Sequence, residues 1–200
     1  MHALASQPAA IALAPVAGAD FLRFVEQTSF DPADKSRIKS QYEKELLAGT
    51  EGFGAVGIVA CGQLVSAASF GTVLLPRAGA VSVRIDVVAT APHARGLGLA
   101  RATVAHLLLD RLDRGEARIE HASVVAVHPL IRRIVESLGF VDARMGTSFP
   151  VLQTTLDDAG REKLRAELQR QKSLALQHVR TECARCSLRR RGPWCQPRGT

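Results

Sequence analysis

Apolar and polar positions along the chain mark out its elements before any composition is considered. In the stretch APHARGLGLARATVAHLLLDRL (91–112), Val104, Leu108 and Leu112 recur at four-residue spacing beside Leu107 and Leu109, which predicts a helix over 97–113. The run VSVRIDVVAT (81–90) before it reads as a strand, so a glycine-rich loop joins strand to helix. Upstream, residues 20–49 read as one or two helices, broken near Asp31-Pro32 and stopped by Gly49. Residues 53–76 read as a hairpin turning at Cys61-Gly62-Gln63. Downstream come a strand over 119–127, a helix over 129–138 with Pro129 in its first turn and Gly139 closing it, and one or two strands within 140–156. The order of helices, antiparallel strands and then strand–helix–strand–helix–strand predicts an α+β fold, a mixed α/β sheet with helices on its faces.

Residues 1–18 are rich in Ala and Pro and are expected to be a flexible N-terminal segment. The stretch has no Lys or Arg ahead of its apolar run, and Pro8 and Pro15 interrupt it, which argues against a secretory signal. No stretch is long and apolar enough to span a membrane, so no membrane partner is expected. Of four cysteines, three lie in the last 18 residues, which is no disulfide framework and favours a reducing cytoplasm.

The net charge of +7 is unevenly spread. Residues 161–200 hold 11 Lys and Arg against 3 acidic residues, whereas residues 1–160 are close to neutral. With one Trp and one Tyr, Trp194 and Tyr42, the chain has few stacking surfaces for single-stranded nucleic acid. Contact with nucleic acid is therefore expected only through the basic tail. Residues 157–180 are built from helix formers, with Asp157 or Asp158 as cap, and Leu164, Leu168 and Ala175 make a thin apolar seam that packs on a partner or stands solvated. Cys183 and Cys186 form a C-x-x-C pair with Cys195 and His178 nearby, but the second pair of a zinc site is missing, and no metal is expected.

The joint itself points to an anion. A helix N-terminus presents unpaired N–H groups and about half a positive charge, and glycines let a ligand approach the backbone. No Lys follows the glycines as a nucleoside-triphosphate loop requires, and the three-glycine dinucleotide pattern is absent. The segment VVATAPHARGLGLARATVAHLLLDRL (87–112) resembles the acetyl-CoA-binding segment of the GNAT superfamily of N-acetyltransferases. Pro92 ends the strand as in that pattern, and Arg95, Gly98 and Ala100 match its R-x-x-G-x-G/A loop. The strand ASVVAV and the helix ending in Leu138-Gly139-Phe140 extend the resemblance over residues 19–156.

The resemblance implies a GNAT-like domain over 19–156 with a central, mostly antiparallel sheet and helices on both faces, extended by a C-terminal helix and tail over 157–200. It implies acetyl-CoA as co-substrate, with the backbone around Val88 and Thr90 pairing with the pantetheine arm. The N–H groups from Arg95 through Gly96, Leu97, Gly98 and Leu99 to Ala100 would cradle the pyrophosphate, and His128 stands where relatives place an asparagine that binds the same arm. The reaction is attack of an amine on the thioester through a tetrahedral intermediate, which needs a base for an ammonium of pKa near ~10. Asp86, on the strand beside the thioester, is the leading candidate, and His121 on the next strand is the second. Val135 occupies the position where relatives carry a tyrosine acid, and Tyr42 is expected far off in the first helices. The expected activity is thus an acetyl-CoA:amine N-acetyltransferase acting on a small-molecule or peptide amine. The alternative is a catalytically weak acyl-CoA-binding regulator whose basic tail contacts nucleic acid. A homodimer is compatible with either.

Overall fold

The computed structural model of the 200-residue chain describes residues 11–60, 62–74, 80–114, 118–125, 129–143, 150–155 and 158–189. Seven strands form one sheet in the order β1-β2-β3-β4-β5-β7-β6. They are β1 (Ile11–Val16), β2 (Phe53–Ala60), β3 (Gln63–Leu74), β4 (Ala80–Thr90), β5 (Arg118–Val125), β6 (Val141–Asp142) and β7 (Val151–Thr155). Every pairing among them is antiparallel except β4 with β5. Among the described residues there are also five α-helices: α1 (Gly18–Gln27), α2 (Pro32–Leu47), α3 (Leu99–Arg114), α4 (Pro129–Glu136) and α5 (Asp158–Arg189). The α+β class and the predominantly antiparallel mixed sheet are as the sequence predicts.

The break at Asp31-Pro32 has a local cause. Pro32 opens α2, and the Asp31 carboxylate caps it by accepting from the Asp34 N–H at 2.8 Å. Gly49, with φ of +60°, takes the left-handed turn that ends the segment. α1 and α2 bury Phe21, Phe24, Val25, Ile38, Tyr42 and Leu46 against Val65, Ala67, Val87 and Ala89 of the sheet. On the other face, Val104, Ala105 and Leu108 of α3 meet Ala68, Phe70, Val83 and Ile85.

One region departs from the sequence reading, and packing decides one that the sequence leaves open. Residues 11–16, placed in a flexible segment on composition, form β1. The strand is an edge, pairing with β2 alone, so the missing N–H of Pro15 breaks no ladder that needs it, while Leu13 and Val16 pack on the core. The thin seam of the C-terminal helix finds its partner within the chain. Leu168 is fully buried in the α3 core cluster, Arg165 Nη2 bonds Asp113 Oδ1 of α3 at 2.9 Å, and the Arg161 guanidinium donates to the Ile119 carbonyl. α5 therefore runs antiparallel along α3, from the C-terminal end of that helix back to its first turn, where Arg101 Nη1 donates to Gln171 Oε1 at 3.2 Å.

Candidate active site

The site begins where β4 and β5 part. Their parallel pairing runs from Ala80 and Arg118 to Ile85 and Val124 and ends there, yet β4 continues to Thr90 and stays paired with β3 as far as Ser66. Among the described residues, no strand occupies the ladder positions that residues 86–90 present to the β5 side. Val88 and Thr90 lie on that edge.

A β-bulge opens the same segment. Val87 pairs with Ser69 and Ile85 with Phe70, leaving Asp86 as an extra residue between them. The bulge inverts the alternation of the strand. Before it, Val81, Val83 and Ile85 face α3, as does Phe70, whose ring lies 5.1 Å from the Arg111 guanidinium of that helix. After it, Val87 and Ala89 face α1 and α2, and Val88 and Thr90 turn toward α3. Asp86 itself projects to the α1–α2 side: a Cβ placed on Gly71, its neighbour on β3, would sit 3.4 Å from Asp86 Oδ2 and 3.4 Å from Arg84 Nη2.

The Asp86 side chain is 2% exposed and is ion-paired to the guanidinium of Arg84. Burial pushes its carboxyl above the usual carboxylate range; the hydrogen bond and charge of Arg84 pull the other way without reversing this, and Glu45 adds to the rise. Tyr42 of α2 lines the same cavity as both groups, and its phenol is raised first by burial and then by the charge of Asp86. This overturns the expectation that Tyr42 lies far from the site. The Ser69 hydroxyl, on the strand position facing the bulge, is buried with no hydrogen-bond partner among the described residues.

At its far end β4 passes through a 3-10 turn (Pro92–Ala94) to the glycines. Gly96 and Gly98 have φ of +79° and +75°, the left-handed region that favours glycine, and they turn the chain into the first residue of α3. The Ala102 N–H bonds the Gly98 carbonyl at 3.0 Å, so the preceding N–H groups of Leu99, Ala100 and Arg101 have no intrahelical acceptor. A buried hydroxyl cluster fixes this end of α3 to the strands. Thr103 Oγ1 lies 2.8 Å from Ser66 Oγ and 2.9 Å from the Leu99 carbonyl, and Ser66 Oγ lies 3.1 Å from both Thr90 Oγ1 and the Ala89 carbonyl.

These features line one cavity of about 1210 Å³. One end is bounded by Thr28, Phe30, Asp34, Arg37 and Tyr42 with Arg84 and Asp86; the other by Arg95 through Arg101, by Leu130, Ile131, Arg133 and Ile134 of α4, and by Gln171, Leu174 and His178 of α5. Arg95, Gly96, Leu97, Gly98, Leu99, Ala100, Val88, Thr90 and Asp86 are thus brought together. His121 is not. It pairs with Ser82, four residues before Asp86 and roughly 13 Å away along the strand, and is not among the residues lining the cavity. Val135 is fully buried in the core. His128 lies outside the described residues, and the Cys183 and Cys186 side chains are likewise not described.

Sequence reasoning missed Tyr42 and the wall supplied by α5. The first carried a usable signal, being the only tyrosine of the chain and on a helix facing the sheet; the second carried none, since it depends on the direction in which α5 docks.

No family model and no curated protein matches the sequence. Solved structures share its fold. A protein described as an acetyltransferase of the GNAT family from Desulfovibrio desulfuricans is 20% identical over 74% of this chain and 99% of its own, with a TM-score of 0.55. PaiA N-acetyltransferase from Thermoplasma acidophilum, in complex with coenzyme A, is 9% identical over 74% and 99%, with a TM-score of 0.57. Arabidopsis thaliana NAA60, in complex with a bisubstrate analogue, is 13% identical over 74% and 100%, with a TM-score of 0.54. The chain has the GNAT acetyltransferase fold.

Proposed function

We propose that the protein is an acetyl-CoA-dependent N-acetyltransferase. The observation that carries this reading is the open β4 edge, which starts at the buried Asp86 carboxylate and leads through the Gly96–Gly98 turn to the unpaired N–H groups of α3. An extended pantetheine arm needs backbone partners along a strand edge. A pyrophosphate needs N–H donors and positive charge, which the first turn of α3 with Arg95 and Arg101 supplies. The cavity is large enough for a coenzyme A thioester with an acceptor beside it.

Acetyl-CoA supplies the activated acyl group; the remaining work falls to this chain. Asp86, at the acceptor end, takes the proton that an incoming ammonium must lose before its nitrogen attacks the carbonyl carbon. Arg84 holds the carboxylate in place through their ion pair. The C–S bond then breaks, and the departing thiolate of coenzyme A, with a free-thiol pKa near ~8.5, leaves with little need of an acid. Asp34 and Asp86 line that end, each paired with an arginine, Arg37 and Arg84, and the charge-balanced wall with a buried base suits an amine, small molecule or peptide N-terminus.

A second reading, acyl-CoA binding without efficient turnover, is favoured by one observation. Val135 is buried in the core and has no proton to give. A single assay separates the two. Release of free coenzyme A thiol above the hydrolysis rate, with a panel of amines, supports the enzyme; saturable coenzyme A binding with no amine-dependent thiol release supports the binding protein.

A further inference from the structure

Beyond the acceptor and the thioester, the cavity has a wall that the resemblance to the GNAT superfamily does not imply. Gln171, Leu174 and His178, spaced by three and four residues, form one stripe of α5, and all three line the cavity beside the first turn of α3. The stripe is held in place. Leu168, one turn before Gln171, is fully buried, and the Glu167 carboxylate accepts from Gln171 Nε2 at 2.7 Å and from Arg170 at 2.6 and 2.8 Å. With its amide nitrogen so engaged, Gln171 turns its carbonyl oxygen to Arg101, which it holds at 3.2 Å next to the N-terminus of α3.

Two apolar side chains on this end of the cavity are open to solvent: Leu174 of α5, 43% exposed, and Leu130 of α4, 59% exposed. Positive charge gathers around them in Arg95, Arg101 and Arg133 with no lining carboxylate beside it among the described residues, whereas at the other end Arg37 and Arg84 are paired with Asp34 and Asp86. An apolar surface beside cationic groups and free N–H donors suits a ligand half that is a flat heterocycle carrying several phosphates.

We propose that α5 is part of the nucleotide-binding site, with Leu174 covering the base and His178 and the Gln171-held Arg101 meeting the phosphates of an adenosine 3′,5′-bisphosphate moiety. The inference rests on the acetyl-CoA reading above and adds to it that the C-terminal helix is a working wall of the cofactor site. An imidazole N–H donates to a phosphate oxygen, and a leucine excludes water from the face of a purine. The helix thereby couples its own docking on α3 to cofactor affinity.

Calorimetric titration of the full chain with coenzyme A, and separately with adenosine 3′,5′-bisphosphate, tests this. Leu174→Asp is expected to weaken coenzyme A binding at least tenfold and His178→Ala at least threefold, with the same factors for the bisphosphate alone. Both side chains are on the surface of the cavity, and an unaltered melting temperature shows that each variant is folded. Variants that bind coenzyme A as the wild type does overturn the role of α5 and leave the cofactor reading standing. So does a loss seen for coenzyme A and not for the bisphosphate. A wild-type chain that binds neither probe overturns the cofactor reading and this inference with it.

Discussion

Arg84 and Asp86 are ion-paired two residues apart on one strand, with the arginine side chain 38% exposed and the aspartate 2%. The pair straddles the boundary of the core, and the aspartate carries the burial cost. Its carboxyl is consequently raised in spite of a cationic partner. Turnover is expected to rise with pH through an apparent pKa above the usual carboxylate value of about 3.9. Asp86→Asn should lower kcat by ~10²-fold or more and leave coenzyme A affinity within a few-fold. Steady-state rates at saturating free amine check both; a kcat within a few-fold of wild type removes Asp86 as base.

The same shift has a consequence for stability. The folded chain holds the Asp86 proton more tightly than the unfolded chain does, so this contribution is complete below the ordinary carboxylate pKa and is lost as pH rises through the folded value. The wild type should therefore lose stability relative to Asp86→Asn across that interval, with the gap constant above it. Melting curves of both proteins from pH 3 upward measure the difference, and parallel curves throughout contradict it.

Gly98 adopts a φ of +75° at the start of α3. Any L side chain there is strained by about 1 kcal/mol, so Gly98→Ala reports strain alone and Gly98→Asp adds a carboxylate facing the phosphate site. Coenzyme A affinity of the Asp variant is expected to fall at least tenfold below that of the Ala variant, about 1.4 kcal/mol. Equal affinities in calorimetry contradict the phosphate cradle.

Thr103 is fully buried, with its hydroxyl between Ser66 and the Leu99 carbonyl. Thr103→Val keeps the shape and removes the bonds. Ser66 retains the Ala89 carbonyl and Thr90 as partners, so the expected loss is about 1 kcal/mol, read from urea denaturation.

Leu168 is fully buried and anchors α5. Leu168→Ala should destabilise the protein by roughly 2–5 kcal/mol, whereas Ala at the exposed Gln169 beside it should stay within about 0.5 kcal/mol. Denaturant midpoints for the two variants compare them directly; equal effects contradict the docking of α5 on α3.

What the sequence disclosed follows from how local each signal is. The Gly96–Gly98 turn, the helix after it and the Asp31-Pro32 break are short-range features, written in residues a few positions apart, and they stand where the sequence places them. β1 was hidden because Pro15 and the alanines argue against a strand, and only its position at the sheet edge makes them harmless. The sequence sets Tyr42 far from Asp86, with 44 residues and two strands between them in the chain, and folding α2 over the β4 bulge is a tertiary event. His121 illustrates the reverse. It neighbours β4, yet its register with Ser82 sets it four residues along the strand from Asp86. The partner of the α5 seam could not be read either, since Leu164, Leu168 and Ala175 say that something is covered and not by what.

The bulge at Asp86 makes β4 two half-strands in opposite phase. Val81, Val83 and Ile85 are in step with one layer of helices, and Val87 and Ala89 with the other. Loss of Asp86 alone would make Ile85 and Val87 consecutive partners of Phe70 and Ser69 and leave Val87 and Ala89 on their own side of the sheet. Loss of any other single residue of the ladder would turn everything after it to the wrong side, a frameshift in space. Position 86 is thus the one place where the layout can spare a residue, and the carboxylate there serves chemistry and not architecture.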